Sequence, residues 1–155
     1  MPYLIDGHNL IPKLGLRLDS PDDEQVLLIH LQEFSRLRRA QVEVYFDGAP
    51  AGQSGMRRAG TVSAHFIRLG SSADTAIEAR LTSLGRQARN WTVVSSDGRV
   101  QRAAQAVHAR VQSSEELAAE ISRLRAAASL ETKKEPRLGP EELGEWMDLF
   151  SHKRG

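Results

Sequence analysis

No cysteine occurs in the 155 residues, and that absence removes disulfides, thiolate catalysis and every zinc site built on sulfur. An excess of charge is missing too. Lys and Arg number 21 against 20 Asp and Glu, a formal net charge of +1, far from the field of a strongly basic nucleic-acid coat protein. No apolar run approaches the ~20 residues of a membrane span, and Met1 leads into a short apolar run without a charged lead or secretory pattern. The expectation is a soluble, cytoplasmic protein with no membrane partner. Nucleotide fingerprints are lacking as well: there is no P-loop Gly-Lys-Ser/Thr and no three-glycine dinucleotide turn. His8 stands where a phosphatase of the haloacid-dehalogenase type needs a second Asp after Asp6. Ser95, His8 and Asp6 lack the nucleophile elbow of a Ser-His-Asp triad. The other histidines, His30, His65, His108 and His152, have no ligand spacing and read as ordinary surface or core residues.

What is present is a recurring pattern of short apolar runs that stop at acids. Tyr3-Leu4-Ile5 ends in Asp6-Gly7, Val42 to Phe46 ends in Asp47-Gly48, and Trp91 to Val94 ends in Ser95-Ser96-Asp97-Gly98. Between these runs lie helical periods. Val26, Leu27, Ile29, Leu31, Phe34 and Leu37 give one stripe between Asp22 and Ala40, and Ala76, Ile77, Leu81 and Leu84 give another that opens at Asp74. Thr61 to Leu69 reads as a strand, Gly98 to Val107 as a short helix and Ala109 to Val111 as a last strand. Ser113-Ser114-Glu115-Glu116 starts a helix to about Ala128. Strands alternating with helices predict an α/β, mostly parallel sheet with right-handed crossovers. The Val-Glu-Val-Tyr-Phe pattern at 42–46 predicts a strand near a sheet edge, and the glycine-rich segment 48–60 a mobile loop carrying Arg57 and Arg58. Residues 1–128 are expected as one domain, 129–139 as a charged linker, and 140–155 as a helix with a basic tail, carrying Leu143, Trp146, Met147 and Phe150 on one face.

In an open parallel sheet ligands bind beyond the carboxyl ends of the strands, so Asp6, Asp74 and Asp97 should converge on one crevice, with Asp47 as a further candidate. Any one of these acids also suits an N-cap or a turn. Together, crowded carboxylates repel one another unless a hard cation sits among them, and oxygen-only ligation selects Mg²⁺ or Mn²⁺. Glu78, one helical turn after Asp74, is a candidate to join directly or through water. Asn9 is placed to hold a water or a phosphate oxygen. Ser95, Ser96 and Arg99 flank Asp97 at a helix start suited to an anion, and Arg57 with Arg58 suits a phosphate clamp.

The stretches Tyr3-Leu4-Ile5-Asp6-Gly7-His8-Asn9-Leu10-Ile11, Ser72-Ala73-Asp74-Thr75-Ala76-Ile77-Glu78 and Val93-Val94-Ser95-Ser96-Asp97 resemble the three acidic blocks of the NYN domain, in the PIN-like ribonuclease superfamily. The bacterial YacP-like branch, whose members tend to end in a Pro-Glu-Glu-x-x-x-Trp helix like that of Pro140 to Phe150, is the most similar. The resemblance implies a Rossmann-like sheet and Mg²⁺-dependent endoribonuclease activity, with Asp6, Asp74 and Asp97 as metal-binding acids and Asn9 assisting. Water attack would leave a 5′-phosphate. RNA is the implied partner, delivered free or by a ribosome or other ribonucleoprotein. Two rivals stay open: a non-catalytic module binding RNA or a ribonucleoprotein, and a small-molecule phosphoesterase.

Overall fold

Tyr3–Asp6 forms the first strand, β1, in a computed structural model that describes residues 1–16 and 21–134. Leu4 and Ile5 face opposite sides of the sheet and both are fully buried, because a strand covered on both faces needs an unbroken apolar run. The chain turns at once into a short helix, α1 (Gly7–Leu10), and a 3₁₀ turn over Ile11–Leu14. Glycine is needed at position 7, where a Cβ would run into the Phe46 ring and crowd the Tyr45 carbonyl oxygen.

Helix α2 (Pro21–Arg38) carries Asp22, Asp23 and Glu24 in its first turn and Arg36 and Arg38 in its last, as the helix dipole favours. Leu27, Leu31 and Phe34, spaced by four and three, are its buried stripe, and Phe34 meets the Tyr3 ring edge-on at 5.2 Å. There follow β2 (Val42–Ala49), β3 (Gly55–Ala59), β4 (Val62–Arg68), α3 (Ala73–Leu84), a 3₁₀ segment at Gly85–Asn90, β5 (Thr92–Val94), α4 (Gly98–Ala106), β6 (Arg110–Gln112) and α5 (Ser114–Lys134).

The architecture is α/β: a six-stranded sheet in the order β3-β4-β2-β1-β5-β6, parallel throughout except where β3 runs against β4. On one face Leu4, Tyr45 and Val93 pack with Ile77 and Leu81 of α3 and with Val100 and Ala104 of α4; Tyr3, one residue from Leu4, faces α2 on the other. The chain first adds β2 and β4 to one side of β1, then crosses through α3 to place β5 on the other. The topological switch point therefore falls between β1 and β5, where a doubly wound sheet opens a crevice. Asp6 ends the first of these strands and Ser95-Ser96-Asp97 follows the second.

Two sequence expectations are corrected. Strand β2 lies inside the sheet, between β1 and β4. Its Glu43 is buried, gripped by Arg80 of α3 through Nε–Oε1 and Nη2–Oε2 contacts of 2.9 Å each and by the Tyr45 hydroxyl at 3.0 Å. The segment 48–60 is not all loop. Gly55–Ala59 pairs antiparallel with β4 from Gly55↔Phe66 to Ala59↔Val62, so the neighbouring backbone supplies the order that an exposed Gly-Met-Arg-Arg-Ala sequence lacks by itself.

By contacts the chain divides into Met1–Ile121, which holds the whole sheet, and Ser122–Gly155. The described part of the second unit is helical and continues to Lys134, past Ala128. The helix expected at Pro140 to Phe150 and its basic tail lie outside the described residues. Among the described residues no helix is long and apolar enough to cross a membrane.

Candidate active site

Because β1 ends inside the switch-point crevice, Asp6 is a carboxylate only 7% exposed. Burial first, then the charge of Asp74 with Asp47 adding to it, push its carboxyl up to about 6, against the opposing pull of the Asn9 backbone N–H and of His8. Asp74 lies in the first turn of α3 without capping it, since Ser72 Oγ accepts the Thr75 N–H at 3.1 Å. Burial, then the charge and hydrogen bonding of Asp97, with Asp47 adding, raise the Asp74 pKa; Arg99 works the other way. The structure thus brings Asp6, Asp74 and Asp97 into one electrostatic neighbourhood, with Asp47 at its margin.

Asp97 has a second task. Its Oδ1 accepts the Arg99 N–H at 2.9 Å and caps α4. Asp47 Oδ1 lies 2.8 Å from His8 Nδ1, and its Oδ2 accepts the Ala73 N–H at 3.5 Å. Glu78 is held by Arg99, Nε to Oε1 at 2.7 Å and Nη2 to Oε2 at 3.2 Å. The donor set is all oxygen and crowded with like charge, which suits a hard divalent cation. Among the described residues, however, no group of three or more His, Asp or Glu is placed to hold an ion.

The residues around Asp97 act mainly inward. Ser95 is fully buried; its hydroxyl accepts the Asp97 N–H at 3.0 Å and lies 3.5 Å from Asp6 Oδ2. The expectation that Ser95 touches a substrate phosphate gives way to one in which it joins two of the acids, since no solvent reaches it. Asn9 Oδ1 accepts both the Ser96 N–H at 2.8 Å and the Ser114 hydroxyl at 2.6 Å, tying α1 to the loop after β5 and to the start of α5. Ser96 faces solvent and donates its hydroxyl to Glu115 Oε2 at 2.6 Å. That bond, with Lys13 at 2.9 Å, holds the Glu115 carboxyl down at about 2.

Arg57 and Arg58 sit on the outer strand β3. Arg57 lies over the Phe66 ring, 5.0 Å from its centroid, and with Asp47 and Glu24 it lines a cleft of about 200 Å³. Arg58 is exposed on the same strand.

Sequence reasoning missed His8, whose ring bridges Asp47 and, through Nε2 at 2.8 Å, Glu24; those hydrogen bonds outweigh burial and raise its pKa. Its partners lie 39 and 16 residues away, so no local spacing announces them. In sequence Ser114 signals only a helix start, yet its buried hydroxyl reaches back to Asn9.

No curated protein matches the chain. Among solved structures, Rae1 (YacP) from Bacillus subtilis is similar at 24% identity with a TM-score of 0.70, over 99% of this chain and 94% of that one. Its W164L mutant gives the same identity and TM-score over 86% and 82%. At this identity the likeness carries the fold, a six-stranded switch-point sheet of the same kind. Residues 3–148 match the family model of the YacP-like NYN domain, a span that takes in Asp6, Asp74 and Asp97 together. The chain belongs to the YacP-like NYN domain family.

Proposed function

We propose that the protein is a metal-dependent endoribonuclease of the cytoplasm, with Asp6, Asp74 and Asp97 as its acidic centre. Family membership supports the coarser half of this reading, a nuclease-like, RNA-related function. The observation that carries the rest is where the acids stand: Asp6 ends β1 and Asp97 precedes α4 on either side of the switch point, with Asp74 in the first turn of α3, and after burial the charge of Asp74 raises Asp6 and that of Asp97 raises Asp74. Such repulsion, retained at the switch point, is what a site for positive charge requires.

Asp6, Asp74 and Asp97, with Asp47 and Glu78 beside them, would hold Mg²⁺ or Mn²⁺, which lowers the pKa of attacking water and neutralises charge building on a phosphate. The chain's own groups do the remaining work. Ser95 ties the Asp6 carboxyl to the backbone N–H of Asp97, and Asn9 fixes the loop that carries Asp97. Arg57 and Arg58 on β3 suit the RNA backbone, and Arg99, within reach of Thr75 and Glu78, suits a phosphate once released from its ion pair. Hydrolysis by water would leave a 5′-phosphate. A ribosome or other ribonucleoprotein is the candidate route by which RNA reaches the site.

A non-catalytic RNA-binding module is the second reading, favoured by the engagement of Asp47 and Glu78 in ion pairs. Incubating a labelled RNA pool with the protein in Mg²⁺, Mn²⁺ or EDTA separates the two. Metal-dependent internal cleavage is expected; binding without cleavage in any metal would establish the second reading.

A further inference from the structure

The cleft beside the acidic centre is walled by side chains that a phosphate backbone alone does not need. Glu24 and Gln25 come from α2, Asp47 from the end of β2, Gln53 from the turn after it, and Arg57 and Phe66 from the β3–β4 hairpin. At about 200 Å³ the space is below the ~300 Å³ at which pockets for drug-sized ligands begin, so it suits a single ring system. Asp47 is shared between the cleft and the charge field of Asp6, so an occupant sits next to the acids.

We infer that this cleft is a nucleobase subsite, taking one base of the RNA strand close to the cleaved bond, and that it favours guanine. The inference rests on the proposed RNA substrate. Three features carry it. Arg57 lies over Phe66, with its Cζ 5.0 Å from the ring centroid, and a guanidinium and a phenyl ring side by side on one wall are the groups on which bases stack. Phe66 is itself stacked on Phe46 at 5.4 Å, which backs the platform with core. The polar wall is rich in acceptors: Glu24 and Asp47 are carboxylates fixed in place by the two nitrogens of His8. Guanine alone among the four bases presents two adjacent donors, N1–H and N2–H₂, on its pairing edge. Adenine and cytosine each turn a ring-nitrogen acceptor toward the same wall, and uracil flanks its one donor with two carbonyls. Gln25 and Gln53, each with a donor and an acceptor, remain to meet the guanine carbonyl.

The test uses the full chain in EDTA, so that binding is read apart from any reaction. Fluorescence anisotropy is measured with short labelled oligouridylates carrying one central G, A or C. The G probe should bind at least about fivefold more tightly than the A or C probe, the effect expected of one well-placed bidentate base contact. Glu24→Gln, which keeps the shape and the bond to His8, should bring the G and A probes close to equality. Phe66→Leu should weaken every probe. Equal binding of all probes, or a guanine preference that Glu24→Gln leaves intact, overturns the subsite whatever cleavage shows. A guanine preference without cleavage in Mg²⁺ or Mn²⁺ upholds the subsite and overturns the nuclease reading instead.

Discussion

Arg99 holds Glu78 with two arms of its guanidinium, Nε on Oε1 at 2.7 Å and Nη2 on Oε2 at 3.2 Å, and its charge offsets the effect of Asp97 on Asp74. The acidic centre thus contains its own counter-cation. Arg99→Gln removes that charge and leaves the acids to repel one another. We expect a lower melting temperature in EDTA and a larger Mg²⁺-induced rise than in the wild type, because a ligand that binds only the folded state stabilises it more the tighter it binds. Calorimetry with and without Mg²⁺ measures both; an unchanged or smaller metal-induced rise contradicts the role.

Ser95 joins two acids from a fully buried position. Ser95→Ala takes the acceptor away from the half-buried Asp97 N–H, and we expect a loss of about 1 kcal/mol, the lower end for an unpartnered donor. A urea titration should show that loss together with a fall in RNA cleavage. Unaltered stability would mean that the Asp97 amide finds another partner and that Ser95 does not set the loop.

The Glu43–Arg80 pair gives a sharper stability test away from the site. Glu43 is 5% exposed, and Arg80, which also lies 5.4 Å over the Trp91 ring, is its cation. Arg80→Met leaves the carboxylate buried with the Tyr45 hydroxyl and the His65 ring, whose Nε2 is 4.0 Å away, and we expect a loss of about 3 kcal/mol, the lower end for a broken buried pair because Arg80 is partly solvated. Adding Glu43→Gln should recover most of it. Denaturant midpoints of the single and double variants decide; a double variant as unstable as the single one refutes the pairing account.

Much of this fold was legible because its signals are local. The unbroken run at Tyr3-Leu4-Ile5, the alternation of helix and strand, and acids at strand ends follow from burial on both faces and from the topology of parallel sheets. What escaped was non-local. Glu43 suggests an edge strand until Arg80, 37 residues on, is seen to face it. Strand β3 has no apolar alternation, and pairing with β4 alone orders it. In the site, local signals suggest which acids share a crevice and that any of them suits an N-cap, as Asp97 does on α4, but not that Arg99 occupies Glu78 or that His8 spans Glu24 and Asp47. Those engagements depend on side-chain reach across elements, to which sequence periodicity is blind.

The tight approach of the first turn to β2 can be tested at Gly7. In Gly7→Ala the new methyl meets the Phe46 ring and lies against the Tyr45 carbonyl oxygen at 3.0 Å. Overpacking of this kind costs about 1–3 kcal/mol. Thermal melts should show that loss, and a neutral substitution would mean that the Asp6–Gly7 turn shifts freely.

The most direct measurement concerns Asp74, the one of the three acids that is neither buried at a strand end nor used as a cap, since Ser72 caps α3. Asp74→Asn keeps size and hydrogen bonding while removing a charge that repels Asp6 and Asp97. Internal cleavage of labelled RNA in Mg²⁺, measured beside the melting temperature in EDTA, should show cleavage abolished and metal-free stability equal to or above the wild type. An Asp74→Asn protein that still cuts RNA in Mg²⁺, or one clearly less stable in EDTA, would contradict the assignment of these acids to a metal-dependent nuclease centre.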